Sequence, residues 1–137
     1  MSSFAKTLDL LSRAMDVSML RDSVYADNLV NKDVSGFKRS EVNFEASLEK
    51  ALNSQDYKPS FEMARADSRH ISSWTQLDYR NVKPRRVLDY LSAYDNTGNN
   101  VDPEEEFNRI LKNQLQYTLY AQAAAFEYSQ INLVLRA

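Results

Sequence analysis

Cysteine is absent from this chain, which excludes disulfides, thiolate metal sites and thiol nucleophiles together and makes the fold indifferent to the redox state of its compartment. Glycine occurs only twice and proline three times in 137 residues. So few turn formers argue against a sandwich or barrel with many tight turns, and against a glycine-rich phosphate loop. The single histidine, His70, has no cysteine and no acid at ligand spacing, so no common zinc pattern can be built around it. Neither sign of charge dominates: the net charge is −2, with acids and bases interspersed. That leaves no basic field for nucleic acid or anionic lipid, and neither is expected as a partner. No window is apolar enough to span a bilayer. The opening "MSSFAKTLDLLSRAMDVSMLRDSV" lacks the basic start, continuous apolar run and small-residue cleavage site of a secretory leader. No cofactor is implied, and an enzyme would need a convergent polar constellation that the sequence does not display.

What remains is helical periodicity at both ends. Phe4, Leu8, Leu11 and Met15 follow a 4-3-4 spacing, the seam of a coiled coil, while Val17, Leu20 and Val24 build a second apolar row beside it. A helix over 4–31 would be about 42 Å long at 1.5 Å per residue. At the other end, "NNVDPEEEFNRIL" opens a helix over 102–135, with Asp102 as cap, Pro103 in the first helical position and Glu105 three residues after the cap. Its apolar residues include Phe107, Leu111, Leu115, Leu119 and Phe126, with Ala121, Ala123, Ala124 and Ala125 as a small-residue patch that lets another backbone approach.

The economical arrangement is a mainly α fold in which the two long terminal helices pack as an antiparallel coiled-coil-like pair. Turn signals at "NSQDYKPS", "NVKPRR" and "DNTGNN" make 53–101 irregular, with room for short strands around 61–64 and a short helical turn around 87–94. The chain is read as one domain over 1–137: a first helix at 4–31, a turn and amphipathic segment at 32–52, a variable middle at 53–101 and the last helix at 102–135. The helices carry wider apolar faces than a two-helix contact needs, so the protein is expected to be incomplete as a monomer.

The remaining motifs have bland readings. "DNTGNNVDPEEE" approaches a calcium loop but has Asn100 where the turn-making glycine must stand. Glu104, Glu105 and Glu106 are consecutive and point in different directions, so they read as first-turn acids opposing the helix dipole. "KPRRVLDY" is a small basic cluster near Tyr79 and Tyr90 that reads as a solvated or interfacial loop. More specific is "NLVNKDVSGFKRSEVNFEASL". Asn28 and Asn31 close the helix, Asn tolerating the left-handed conformation that helix ends often need, and Gly36 can take the positive φ of a turn. Phe37, Val42, Phe44 and Leu48, with charges between them, then form an amphipathic segment that must lie against something.

Together, "ADNLVNKDVSGFKRSEVNFEASL" and "DNTGNNVDPEEEFNRILKNQLQYTLYAQAAAFEYSQINLVLR" resemble the bacterial flagellar basal-body rod proteins, and within them the short proximal-rod subunits of the B type. The family pattern A-x-N-[LI]-A-N-x-x-T-P-G-[FY]-[KR] falls on Asn28, Leu29, Asn31, Gly36, Phe37 and Lys38, followed by Phe44. This chain departs from it with Asp27 for a small residue, Val30 for alanine and Val34-Ser35 for Thr-Pro. The second pattern falls on Gly98, Asn99, Val101 and Asp102, and then on Asn113, Leu115 and Tyr117, and "DSRHI" is similar to a further family element.

The resemblance covers about two thirds of the chain and implies a non-enzymatic structural subunit. Such a subunit polymerises helically around the export channel, on the periplasmic side of the inner membrane, where the membrane ring joins the drive shaft, and it transmits torque. It also implies export without a cleaved leader through the flagellar export apparatus. The implied partners are other copies of itself, other rod subunits, and the membrane-ring and export-gate-adjacent proteins, with no direct lipid contact. On this reading the intra-subunit seam holds Leu8, Leu11, Met15, Leu111, Leu115 and Phe126. Val17, Leu20 and Val24, with Ala121, Ala124 and Ala125, face neighbouring subunits. A cytosolic coiled-coil adaptor or secretion chaperone would keep the helical seam but has no need for "NLVNKDVSGFKR".

Overall fold

The computed structural model describes residues 3–57, 67, 69, 75–92, 96 and 98–136. Along the chain they form helix α1 (Ser3–Val30), strand β1 (Ser40–Asn43), helix α2 (Glu45–Asp56), a one-turn 3₁₀ segment (Tyr79–Asn81), strand β2 (Arg85–Leu88) and helix α3 (Pro103–Arg136). β1 and β2 pair in a two-stranded sheet. The chain divides into two compact units, one made of residues 1–42 and 86–137, the other of 43–85.

The first unit is built on α1 and α3, whose 28 and 34 residues make both unusually long. Neither contains glycine or an internal proline, so nothing interrupts the backbone ladder. α3 starts where the sequence places a cap: Asp102 Oδ1 accepts from the backbone N–H of Glu104 at 2.9 Å and of Glu105 at 3.4 Å. Three contacts fix the direction of packing. Asn28 meets Glu106, Ser18 meets Asn113, and the rings of Phe4 and Tyr128 stand edge to face at 6.0 Å. As one helix is followed forward the other runs backward, so the pair is antiparallel, as the sequence predicts. Among the described residues, the buried apolar side chains of this unit are Val17, Val24, Val42 and Val101.

α1 ends without using a left-handed asparagine, because among the described residues only Gly36 and Gly98 have positive φ. Asn31 instead donates its side-chain N–H to the Asp27 carbonyl at 2.7 Å, capping the helix from within. Gly36, at φ +72°, then reverses the chain towards β1. Among the described residues 87–92 the helical turn expected at 87–94 is not formed. β2 occupies 85–88, and Asp89 folds the next three residues by accepting from the backbone N–H groups of Leu91 and Ser92. The strands expected at 61–64 and His70 lie outside the described residues.

In the second unit the amphipathic segment continues beyond its expected end into α2, whose buried residue is Ala51, fully shielded. Ser54 ties this helix to the 3₁₀ region, its hydroxyl accepting from the Leu77 N–H at 2.9 Å. Among the described residues, Phe44 and Tyr79 are the unit's buried rings.

Candidate functional site

Two features of the first unit stand out: a buried polar clasp at the turn and an apolar stripe left in solvent on α3.

The clasp begins at Asn28, which has no exposed surface. Its Oδ1 accepts from the backbone N–H of Ser40 at 2.9 Å, and its Nδ2 donates to the Ser40 carbonyl at 2.9 Å and to Glu106 Oε2 at 3.0 Å. One carboxamide therefore satisfies both backbone groups at the start of β1 and reaches the first turn of α3. Arg39 completes the link. Its guanidinium bridges Glu106 at 3.2 Å and Glu41 at 2.6 Å, with Asp89 at 3.9 Å. Its own backbone is held by Asn100, whose Oδ1 accepts the Arg39 N–H at 2.7 Å, while the Arg39 carbonyl accepts from Asp89 N–H at 3.0 Å. Glu106 is 1% exposed and Arg39 7%, so the charges neutralise one another out of water, where a lone charge would be costly.

Around this centre, Asn99 donates to the Lys32 carbonyl and accepts from the Val101 N–H, tying the end of α1 to the approach to α3. Arg109 extends the network outward to Glu41 and Glu105. Burial alone would lower the Arg109 pKa, but the hydrogen bonds to Glu105 and Glu41 carry it above its ordinary value. Asp89 is held below the usual carboxylate range, chiefly by the Ser92 hydroxyl and then by the N–H groups of Ser92 and Leu91.

Of the motif residues, Asn28, Phe44, Asn99 and Val101 are buried, Leu29, Asn31, Phe37, Lys38 and Asp102 are half-buried, and Gly36 and Gly98 are exposed. Sequence reasoning missed Arg39, Ser40, Asn100 and Glu106. Glu106 and Asn113 carried the one available signal, two polar residues seven apart on the helix face that turns inward.

The allocation of helix faces is corrected. Leu8, Leu11 and Met15 are half-buried, but Leu111, Leu115 and Phe126, expected in the seam, are 53%, 67% and 61% exposed. Conversely Val17 and Val24, expected to face neighbours, are 3% and 2% exposed. Leu20 and Ala124 are half-buried, and Ala121 and Ala125 are exposed. The physical reason lies in the partners. Glu106 and Asn113 each find a specific acceptor or donor on α1 or at the turn, Asn113 Nδ2 reaching the Ser18 carbonyl at 2.7 Å. That fixes the rotation of α3. At about 100° per residue, Phe107, Leu111, Leu115, Leu119 and Phe126 then fall on roughly the opposite side. The result is a row of exposed apolar side chains along α3, broken by the exposed Gln122 between Leu119 and Phe126.

Among the described residues no group of three or more His, Asp or Glu side chains is placed to hold a metal ion, and no helix is long and apolar enough to cross a membrane.

Two long helices clasped at a polar turn, with an outward apolar stripe, define a protein of the helical-hairpin kind. No protein-family model matches the chain. It is similar, at 40% identity over 99% of its own length and the whole of the relative, to the flagellar basal body rod protein FlgB of Borreliella burgdorferi. It is likewise similar to the proteins of that name from Aeromonas hydrophila, 29% identical over 98% of this chain and 94% of the relative, and from Bacillus subtilis, 25% identical over 98% and 97%. The chain belongs to the FlgB family of flagellar basal body rod proteins.

Proposed function

We propose that this chain is a non-enzymatic subunit of the proximal rod, polymerising helically around the export channel on the periplasmic side of the inner membrane. There it joins the membrane ring to the drive shaft and transmits torque. The single observation that carries this reading is the exposed stripe Phe107, Leu111, Leu115, Leu119 and Phe126 on α3. A row of exposed apolar side chains of that length is unfavourable in water and is the usual mark of a protein contact. A shaft under torque needs each subunit to share a large interface with several neighbours, and helices apolar on the side away from their own seam supply one. The clasp complements the stripe by fixing the rotation of α3, and with it the direction in which the stripe points. Neighbouring copies, other rod subunits and the membrane-ring proteins are the proposed partners, and the flagellar export apparatus is the proposed route of delivery.

The test is deletion of the gene followed by electron cryotomography of the basal bodies. The proposal expects membrane rings without a rod, with rod and motility restored by the intact chain. Complete rods in the deletion strain contradict it. Accumulation of export substrates in a strain whose rods are intact identifies an adaptor or secretion chaperone instead.

A further inference from the structure

The two flanks of the α1–α3 pair differ in charge. On one flank a groove of about 360 Å³ is lined by Ser18, Met19, Asp22, Asn113, Tyr117 and Thr118, among others, with Asp22 as its single charged residue. Met19 is 62% and Tyr117 40% exposed, so the groove also offers apolar surface. Asn113 lies beneath it, 4% exposed, with its Nδ2 committed to Ser18 and its Oδ1 buried without a hydrogen-bond partner. On the other flank, at nearly the same level of the pair, Arg21, Arg109 and Lys112 line a hollow in which Glu105 is the one acid. Arg109 is taken up by Glu41 and Glu105, whereas Lys112 stands exposed.

We infer that the acidic groove receives a second copy of this chain, which enters with its basic flank so that Lys112 of one copy meets Asp22 of the next. The inference rests on the proposed self-assembly and names the surfaces it uses. Charge complementarity selects the occupant, because the excess positive charge on one flank answers the uncompensated carboxylate on the other. Because the two surfaces are different, the contact is heterologous. It repeats from copy to copy and generates a helical array when the rotation does not close a ring.

The absence of cysteine makes a direct test available. The variant carrying both Met19→Cys and Asn108→Cys, one in each surface with Asp22 and Lys112 kept, is treated with a short bis-maleimide in two preparations, isolated basal bodies and the concentrated purified chain. The inference expects a ladder of dimer and higher species from the double variant and monomer alone from either single variant. A second pair, Thr118→Cys with Asn108→Cys, reports the same contact independently should the first pair fold poorly. A ladder in either preparation supports the inference. Failure of both pairs in both preparations overturns it, as does a dimer from a single variant, which would mean a two-fold contact, or cross-linking only to another flagellar protein. A ladder in the purified chain with no chain present in basal bodies keeps this inference and overturns the proposed function.

Discussion

Asn28 holds Ser40, twelve positions further along the chain, by both of its backbone groups, at 2.9 Å each, and does so with no exposed surface on either residue. Replacing Asn28 with Ala leaves a buried N–H and a buried C=O without partners and removes a donor from Glu106. We expect a loss of about 3 kcal/mol, since each unsatisfied buried group costs about 1–3 kcal/mol. Asn28→Asp keeps an acceptor for the Ser40 N–H but sets a carboxylate beside the Ser40 carbonyl and Glu106, so it should rescue little. Urea unfolding, with the midpoint falling at unchanged slope, checks both.

The Arg39–Glu106 pair makes a different prediction. Removing Arg39 strands Glu106 in a nearly dry site, so Arg39→Met should cost about 3–5 kcal/mol, whereas Glu106→Leu should cost less because Glu41 still pairs with Arg39 at 2.6 Å. The double variant should be destabilised by much less than the sum, because no charge is left stranded. Additive losses in a double-mutant cycle would show that the two side chains do not act together.

Gly36 has φ +72°, and nothing lies within 4 Å of where a Cβ would stand. The cost of a side chain there is therefore backbone strain without a clash. Gly36→Val should lose about 1–3 kcal/mol, and Gly36→Asn less, because Asn visits this region more readily. Helix content by circular dichroism should be unchanged in both, while the Gly36→Val substitution should impair assembly more than it impairs helix formation.

Acid should loosen the turn at 89–92 in a predictable direction. The folded-state pKa of Asp89 lies below its unfolded value, so its hydrogen bonds to Ser92 and Leu91 contribute stability that is fully present above the ordinary carboxylate range. That contribution is lost as pH falls through the folded value. Thermal melts at neutral and strongly acidic pH should therefore differ less for Asp89→Asn than for the parent. An equal difference in the two proteins would remove Asp89 from the account.

The helices and their antiparallel pairing were legible because period and caps are local: Phe4, Leu8 and Leu11 mark one helix, and Asp102 with Pro103 marks the start of the other. The rotation of α3 was not legible. Hydrophobicity places Leu111 and Leu115 inside, yet Glu106 and Asn113 face inward because Asn28, Arg39 and the Ser18 carbonyl supply their hydrogen bonds. Those partners lie about 70 to 95 residues away in sequence, beyond the reach of any periodicity. The same holds for the clasp. Gly36 announces the turn, but nothing local tells that Asn28 will reach Ser40, or that the third acid of Glu104-Glu105-Glu106 will be buried beside an arginine.

The central claim is that the outward stripe of α3 is an assembly surface rather than misplaced core, and the variant carrying Leu111→Glu and Leu115→Glu tests it most directly. Both positions are more than half exposed, so thermal stability should stay within about 0.5 kcal/mol per site of the parent. The measurement is swimming, together with recovery of the chain in purified basal bodies, in a strain carrying this variant as its sole copy. The account predicts a stably folded subunit that is missing from basal bodies in cells that do not swim. Normal swimming with the variant built into the rod would contradict it.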